Sequence, residues 1–333
     1  MKPLFQKCCA VFVGMGIALG ASTSASAAGV SMETSGAASV GGVIPQALAP
    51  LWSKAGVDIE LALAQTLTKS LLQLGDATLD TAVIPPPAFG ALAKGAGPYA
   101  KLGAEKGREM ASHVRTLFAF PGSTYHVIVW ANSGIDGWSQ VKGKRVYIGP
   151  PAGAANGQIR GSVKTASGWV GGQNYDEIKA PWGAAAQGFK DGQFDVLYLP
   201  VAKGSQAVTE MSLARPIRLL PMPVDASPAK GSGLANTVIV KGTYKGQVNG
   251  DQDVPAWQTV MNMATRQDLP EDVAYKLTKT YIENRAYLAK SNALLSELTA
   301  FDPLQGLVAP LHPGAARYYQ EQGLTIPADL MPR

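Results

Sequence analysis

The sequence predicts an α/β fold of two lobes, each a mostly parallel sheet flanked by helices, joined by two hinge strands. Apolar strand candidates alternate with helix candidates along most of the chain, which is typical of parallel sheets covered on both faces. Residues 145–156 run from an apolar strand through a loop of small residues into a helix. Two apolar strands, 127–132 and 260–268, end in similar polar turns and are candidates for the connections between the lobes.

The first predicted elements lie between residues 57 and 87. A strand candidate at 57–63 precedes a polar helix start at 65–68. Leucines then follow at helical spacing up to Gly75, and a second strand is predicted at 79–84. This stretch therefore has the order strand, helix, strand.

The same alternation recurs after Tyr125. Strands are predicted at 127–130, 145–148, near Ile178 and at 194–199, with helices from about Ala154 and over 184–190. Residues 214–255 are richer in Pro, Gly and Lys and are expected to form strands and loops. The sequence Leu-Pro-Glu-Asp at 269–272 is typical of a helix start.

Residues 145–156 (RVYIGPPAGAAN) carry the strongest functional signal. The Gly-Pro-Pro that follows the strand removes bulk at the point where the next helix begins. Free N–H groups at a helix start, with the positive end of its dipole, favour a carboxylate or phosphate by roughly 0.3 to 1 kcal/mol. The residues that would line such an anion cradle are Ala152, Gly153, Ala154, Ala155 and Asn156. A plain strand-to-helix turn explains the same residues without any ligand.

The start of the chain predicts a secretory signal peptide over residues 1–28. Lys2 and Lys7 precede an uncharged, mostly apolar stretch at 10–21, and small residues at 24–28 fit cleavage after Ala27 or Ala28. A retained anchor helix is the alternative. Both cysteines, Cys8 and Cys9, lie within the predicted signal, so we expect an exported, periplasmic protein without disulfides.

After cleavage about 305 residues remain, which is enough for two domains of ordinary size. The two strands with matched turns would make the middle of the chain an inserted lobe. We therefore expect lobe 1 to comprise residues 29–130 and 260–333, and lobe 2 to comprise 131–259. Ligands in such lobes bind at the carboxyl ends of strands, in the cleft.

Charge and motifs exclude several classes of function. The net charge is +5, two units of which come from the predicted signal, and the basic residues are scattered, so nucleic acid is not an expected partner. The nucleophile elbow, the zinc-protease helix, the phosphate loop and the dinucleotide fingerprint are all missing from the sequence. With three histidines, His113, His126 and His312, we expect no catalytic residues, no metal site and no cofactor.

A series of short motifs resembles the TAXI-type solute-binding proteins of tripartite ATP-independent periplasmic (TRAP) transporters. Their order and spacing cover nearly the whole predicted mature chain. They are Ser-Gly-Ile at 133–135, Lys-Gly-Lys-Arg-Val at 142–146 with Gly-Pro-Pro at 149–151, Lys-Asp-Gly-Gln-Phe-Asp at 190–195, Arg-Pro-Ile-Arg-Leu-Leu at 215–220, Asp-Leu-Pro-Glu-Asp-Val at 268–273 and Pro-Leu-His-Pro-Gly-Ala at 310–315.

The resemblance implies a two-lobed periplasmic-binding-protein fold of type II that closes on a small solute and hands it to an ion-driven permease. Ligands of the family include amino acids such as glutamate and other small carboxylates. This sequence departs from the family where the ligand would lie. Two positions that are usually tyrosine align with Gly41 and Gly42, which predicts an enlarged or reshaped pocket, and Pro85 begins a Pro-Pro-Pro run where a Gln-Ser pair is common.

Further ligand-binding candidates lie at helix starts and strand ends. Hydroxyls and N–H groups are expected to face the ligand at Ser35, Gly36, Ser39, Thr66 and Thr68, and Pro85 is expected to line the pocket. Plain helix caps would look identical. Trp182 is either a stacking wall or a buried core residue. Lys203 is either a solvated loop residue or the group that neutralises a substrate carboxylate.

Two function classes remain open at this point. The first is a receptor that captures a small organic anion and delivers it to a TRAP-type permease. The second is an exported binding subunit that signals to a membrane kinase. An enzyme is the least favoured reading because no catalytic constellation is evident in the sequence.

Overall fold

The computed structural model describes residues 29–37, 39–151, 155–229 and 231–332. The predicted signal peptide and its cleavage site near Ala27 or Ala28 lie outside the described residues. Within the described part of the chain, no helix combines the length and the apolar character that crossing a bilayer requires.

The first part of the chain forms three short parallel strands with helices between them. Its elements are β1 (Val30–Glu33), α1 (Val40–Lys54), β2 (Ile59–Ala62), α2 (Leu67–Gly75), β3 (Thr81–Ile84), α3 (Pro86–Ala93) and α4 (Gly103–Ser112). Helix α1 forms although it contains two prolines and two glycines. It buries Ile44, Leu48 and Trp52 on one face at helical spacing, so packing outweighs its poor helix propensity.

The rest of the chain continues the alternation and ends in helices. Its elements are β4 (Val114–Trp130), β5 (Arg145–Tyr147), α5 (Ala155–Ser167), β6 (Asp176–Ile178), α6 (Trp182–Lys190), β7 (Val196–Val201), α7 (Gln206–Ala214), β8 (Ile217–Leu219), β9 (Leu234–Ile239), β10 (Val254–Arg266), α8 (Glu271–Ser291) and α9 (Pro313–Glu321). Short 3-10 helices occupy Gly97–Leu102, Trp138–Val141, Ala293–Leu295 and Ala328–Leu330.

The strands form one mixed sheet in the order β2-β1-β3-β10-β4-β7-β5-β6, with β8 beside β4 and β9 beside β10. β1 pairs in parallel with β2 and β3, and β5 pairs in parallel with β6 and β7. The long strands β4 and β10 are antiparallel to each other and to their other neighbours. The predicted α/β fold is confirmed, with two parallel groups of strands separated by a long antiparallel pair.

Strands β4 and β10 connect these two groups. The first part of β4 pairs with β10, whereas its last residues pair with β7 and β8. The register between β4 and β10 shifts between Gln258 and Val260, opposite Pro121 and Thr124. We call residues 121–124 and 258–262 the crossover.

The buried apolar residues lie on either side of the crossover. On one side, the core is drawn from residues 32–120 and 263–330 and includes the stacked rings of Phe118 and Tyr281, 3.8 Å apart. On the other side, it is drawn from residues 125–256. A small cluster of Ala119, Ala235, Val260 and Phe301 joins them at the crossover.

Candidate functional site

The carboxyl ends of both parallel groups of strands point at the crossover. Ile84, the last residue of β3, pairs with Asn262 of β10. Val201, the last residue of β7, pairs with Thr124 of β4, and Thr124 in turn pairs with Gln258 of β10. The loops that follow β1, β3, β5 and β7 therefore lie near the same part of the long strands, which is where open α/β folds bind ligands.

The loop after β1 is held by hydrogen bonds among its own small residues. Ser39 is the N-cap of α1, and its hydroxyl accepts from the Gly42 N–H at 3.2 Å and donates to the Gly36 carbonyl at 2.7 Å. The Ser35 and Ser39 hydroxyls lie 2.7 Å apart. Ser35 is half-buried, whereas Gly36 and Ser39 are exposed. The two serines thus shape the helix start and stay at the surface of the predicted cleft.

Gly41 and Gly42 do not leave an empty space in the pocket. A Cβ at position 41 would lie 2.5 Å from Ser35 Oγ, and one at position 42 would lie 2.3 Å from the Gly36 carbonyl oxygen. The loop at 35–37 fills the room that side chains would need at these positions. The absence of side chains at Gly41 and Gly42 lets the loop and the helix pack closely together. The enlarged or reshaped pocket stays a prediction.

The other candidates of the first strand group lie at the starts of α2 and α3. Thr66 is the exposed N-cap residue of α2, and its side chain makes no capping hydrogen bond. The half-buried Thr68 follows in the first turn, and its carbonyl accepts a hydrogen bond from Tyr99 at 3.0 Å. Pro85 is the half-buried N-cap residue of α3. The free hydroxyl of Thr66 is therefore available to a ligand.

Asn156 and Trp182 meet at the carboxyl end of β5. The Asn156 side-chain amide is buried and donates to the Ile148 carbonyl at 2.5 Å. A Cβ at Gly149, whose φ is +97°, would lie 3.2 Å from that amide nitrogen and 3.3 Å from the Trp182 ring. The indole is 37 % exposed and meets Tyr147 edge to face. Trp182 thus presents one part of its ring to solvent beside the loop.

The remaining candidates of this loop are only partly described. Ala155 is the half-buried first residue of α5. The predictions for Ala152, Gly153 and Ala154 lie outside the described residues.

Lys203 forms a half-buried ion pair with Glu297. Its ammonium lies 2.7 Å from Glu297 Oε1 and donates to the Thr237 hydroxyl at 2.6 Å. The exposed fractions of the Lys203 and Glu297 side chains are 22 % and 30 %. Glu297 follows the 3-10 helix at Ala293–Leu295, which contacts α1. An anionic ligand therefore has to compete with Glu297 for the charge of Lys203.

A buried histidine supports the loop that carries Lys203. His126 lies in β4 with Nδ1 3.0 Å from the Thr124 carbonyl and Nε2 2.8 Å from the Tyr244 hydroxyl, which also accepts from the Gly204 N–H at 3.0 Å. Burial lowers the pKa of His126 to about 4, and the positive charge of Lys203 acts in the same direction. The imidazole is therefore neutral at pH 7 and has a structural role.

The other histidines are also engaged with the backbone. His312 Nδ1 accepts from the Gly314 N–H at 3.2 Å at the start of α9, and His113 Nδ1 lies 2.9 Å from the Gly75 carbonyl. Among the residues that the structure describes, no three His, Cys, Asp or Glu side chains are grouped so as to hold a metal ion.

Sequence reasoning missed Glu297, Thr237 and Gln258, which lie around Lys203. Glu297 lies 94 residues after Lys203 in the sequence, so no local sequence pattern indicates that the two side chains pair. Gln258 had a visible signal, since it is a polar residue within the apolar run of β10.

Comparisons with known proteins agree with this architecture. The profile of the NMT1-like family matches residues 87–323, which is more than half of the chain. A putative periplasmic sulfonate-binding protein of an ABC transporter from Methylobacillus flagellatus has a similar fold, with a TM-score of 0.50 at 11 % identity over 88 % of this chain and 77 % of that one.

Two further solved structures are also similar. The periplasmic aliphatic sulphonate binding protein from Escherichia coli has a TM-score of 0.48 at 12 % identity, covering 88 % of this chain and 82 % of that one. A TRAP periplasmic solute binding protein from Rhodobacter sphaeroides has a TM-score of 0.46 at 11 % identity, covering 81 % and 84 %.

Proposed function

The chain belongs to the NMT1-like family and has the fold of periplasmic solute-binding proteins, and we propose that it is an extracytoplasmic receptor for a small organic anion. The observation that carries the proposal is the convergence of strand ends from both parallel groups on the crossover. That arrangement favours a ligand held between two lobes. The receptor binds its solute and leaves it chemically unchanged.

The proposed lobes are residues 29–130 with 260–333, and residues 131–259. Separate apolar cores on either side of the crossover support two lobes, but β4 from Tyr125 onward packs into the second core, which favours a boundary within β4 at 121–124 over one at 130. A register shift between β4 and β10 interrupts their regular pairing there, and such irregularities bend and twist strands. Closure on the solute would then take place about these two strands.

The preference for an anion rests on helix starts and on one lysine. The N-termini of α1, α2 and α5 follow the carboxyl ends of the parallel strands β1, β2 and β5, and a helix N-terminus carries the positive end of its dipole. The exposed Thr66 hydroxyl adds a donor, and Trp182 adds an apolar wall. Lys203 would contribute when the solute takes the place of Glu297.

The proposed partner is a TRAP-type membrane permease. Support comes from the motifs that run from Ser133 to Ala315 in the order found in TAXI-type receptors. A receptor of this kind has to capture its solute and yet release it on docking. A micromolar dissociation constant, about −8 kcal/mol, meets both demands. The basic and apolar start of the chain supports export to the periplasm, with cleavage near Ala27 or Ala28.

One experiment identifies the solute and another tests delivery. Mass spectrometry of small molecules released from the denatured, purified protein is expected to detect an organic anion in stoichiometric amount. Deletion of the gene is expected to abolish uptake of that labelled solute, and added protein should restore uptake only when the cognate permease is present. Normal uptake in the deletion strain would contradict the transport proposal and favour the alternative of a sensor subunit.

A further inference from the structure

An apolar cavity lies beside the crossover, next to the start of α3. Its volume is about 280 Å³, close to the lower end of the range of about 300 to 1,000 Å³ for small-ligand pockets. The described residues that line it are mostly apolar, and they include Pro86, Leu234, Leu304, Leu307, Val308 and Leu330. The wall of this cavity is therefore suited to a hydrocarbon group.

Both proposed lobes supply the wall of the cavity. Pro86 and the lining residues within 304–308 and 327–330 belong to lobe 1, whereas those within 228–234 belong to lobe 2. Clefts between two lobes are where such folds hold their ligands. A solute bound between the lobes would therefore have this apolar wall beside it.

Gly233 brings a loop of lobe 2 close to the start of α3. Its carbonyl accepts from the Val260 N–H of the crossover at 2.8 Å. A Cβ at Gly233, whose φ is +70°, would lie 2.8 Å from Pro87 Cδ. Only glycine combines this backbone conformation with so close an approach, so the contact between the loop and the proline run is built into the fold.

The start of α3 offers no free N–H group to a ligand. Pro85, Pro86 and Pro87 have no amide hydrogen, and the Ala88 N–H donates to the Pro85 carbonyl at 2.9 Å. Asp329, the one charged side chain among the described lining residues, is negative and repels an anion. The charged group of an anionic solute is therefore disfavoured in this cavity, whereas an apolar group is favoured.

The cavity shares a lining residue with the open space beside Lys203. Gln305 lines both of them. Lys203 is the charged side chain that the proposed function assigns to the anionic group of the solute. A solute with its anionic group near Lys203 would thus have the apolar cavity as the neighbouring space for the rest of the molecule.

We propose that this cavity receives a hydrocarbon portion of the solute, so that the captured anion has one charged end and one apolar end. The inference rests on the proposed function, because it assigns the cavity to the solute of that receptor. The apolar end would lie against Pro86, Leu307 and Val308, where its burial removes apolar surface from water. A solute that is anionic at both ends is excluded, since its second anionic group would meet Asp329 and a helix start without donors.

Titration calorimetry of the purified, exported protein with acetate, hexanoate and adipate tests this assignment. Hexanoate should bind more tightly than acetate by about fourfold for each methylene that enters the cavity, which corresponds to about 0.8 kcal/mol. Adipate has the same six-carbon chain with a second carboxylate at its far end, so it should bind more weakly than hexanoate. Hexanoate no tighter than acetate, or adipate as tight as hexanoate, would overturn the proposal and leave the anion receptor standing.

NMR of protein with labelled leucine and valine methyl groups locates the chain and separates the two proposals. Hexanoate and the uncharged 1-hexanol should both shift the methyl signals of Leu307 and Val308. The signals of Leu213, which is 62 % exposed at the end of α7, are the control and should stay unchanged. Unshifted Leu307 and Val308 signals with both probes would reject the cavity. Shifts with 1-hexanol alone would keep the apolar site but contradict the anion receptor.

A matched pair of proline variants tests the start of α3. Pro86→Ser replaces an apolar ring of the wall by a polar side chain, so it should weaken hexanoate binding at least about threefold and leave acetate binding unchanged. Pro313→Ser makes the same change at the first residue of α9 and should alter neither. An equal effect of Pro86→Ser on both carboxylates would mean that Pro86 acts only through the fold, and the assignment of the hydrocarbon chain to this wall would be rejected.

Discussion

Acidification is expected to weaken the fold through His126. The imidazole is buried beneath the Lys203 loop, and burial lowers its pKa to about 4. An unfolded histidine has a pKa of about 6.5, so the unfolded chain binds more protons between these two values. The stability that the neutral His126 contributes is therefore fully present above about pH 6.5 and is lost as the pH falls towards 4.

The size of the effect follows from the two pKa values. A difference of one pKa unit corresponds to about 1.4 kcal/mol. Between pH 7.5 and pH 5.0 the unfolded chain takes up a proton at His126 that the folded protein does not, so the free energy of unfolding should fall by about 2 kcal/mol. Protonation of Nε2 also removes the acceptor of the Tyr244 hydroxyl, which holds the Gly204 N–H. Protonation of His126 should therefore both lower the stability and weaken the hydrogen bonds that hold the loop at 202–205.

Urea unfolding at pH 7.5 and pH 5.0 measures this loss, with His126→Gln as the control. His312, whose pKa burial also lowers, is present in both proteins, so the difference between them isolates His126. The unaltered protein should lose about 2 kcal/mol more than the variant between the two pH values. An equal loss in both proteins would refute the reasoning that His126 is held neutral by burial.

Three further predictions concern the site and the lobes. Lys203→Ala should lower the affinity for the solute about tenfold or more in titration calorimetry, since a charge-assisted hydrogen bond contributes about 1.5 to 3 kcal/mol. Glu297→Gln should raise this affinity because it frees the charge of Lys203. Unchanged affinity in both variants would remove Lys203 from the site. Gly42→Ala should lower the Tm because its Cβ would meet the Gly36 carbonyl. The control Gly161→Ala lies inside α5 with open space around it, so it should raise the stability by about 1 kcal/mol. Similar Tm shifts in the two variants would contradict the packing argument. Small-angle scattering should detect compaction when the solute binds, and identical profiles would count against closure about the crossover.

The strands and helices with a strong local pattern were predictable from the sequence. The run from β5 into α5 was predicted within a residue or two, because an apolar strand, a Gly-Pro-Pro loop and a helix follow each other directly. The start of α8 was equally clear, since Leu-Pro-Glu-Asp places a proline and two acidic residues at the helix N-terminus.

Elements that depend on distant contacts were not predictable in the same way. Helix α1 carries Gly41, Gly42, Pro45 and Pro50, which are typical of a loop, and it is helical because one face packs into the core. The partner of Lys203 had no local signal either, because Glu297 reaches it only after the chain has returned from α8. Local propensity therefore predicts the loop that carries Lys203, whereas only the tertiary fold determines that this lysine pairs with Glu297.

The place of β10 in the sheet has a consequence for biosynthesis. Although β10 is the last strand among the residues that the structure describes, it lies between β3 and β4 and also pairs with β9. Until residues 254–266 are available, β3 has an unpaired edge, and most of β4 and all of β9 lack a neighbour. Exposed strand edges invite aggregation, and pairings between remote segments form slowly. A chain with this topology benefits from staying unfolded until residues 254–266 are available.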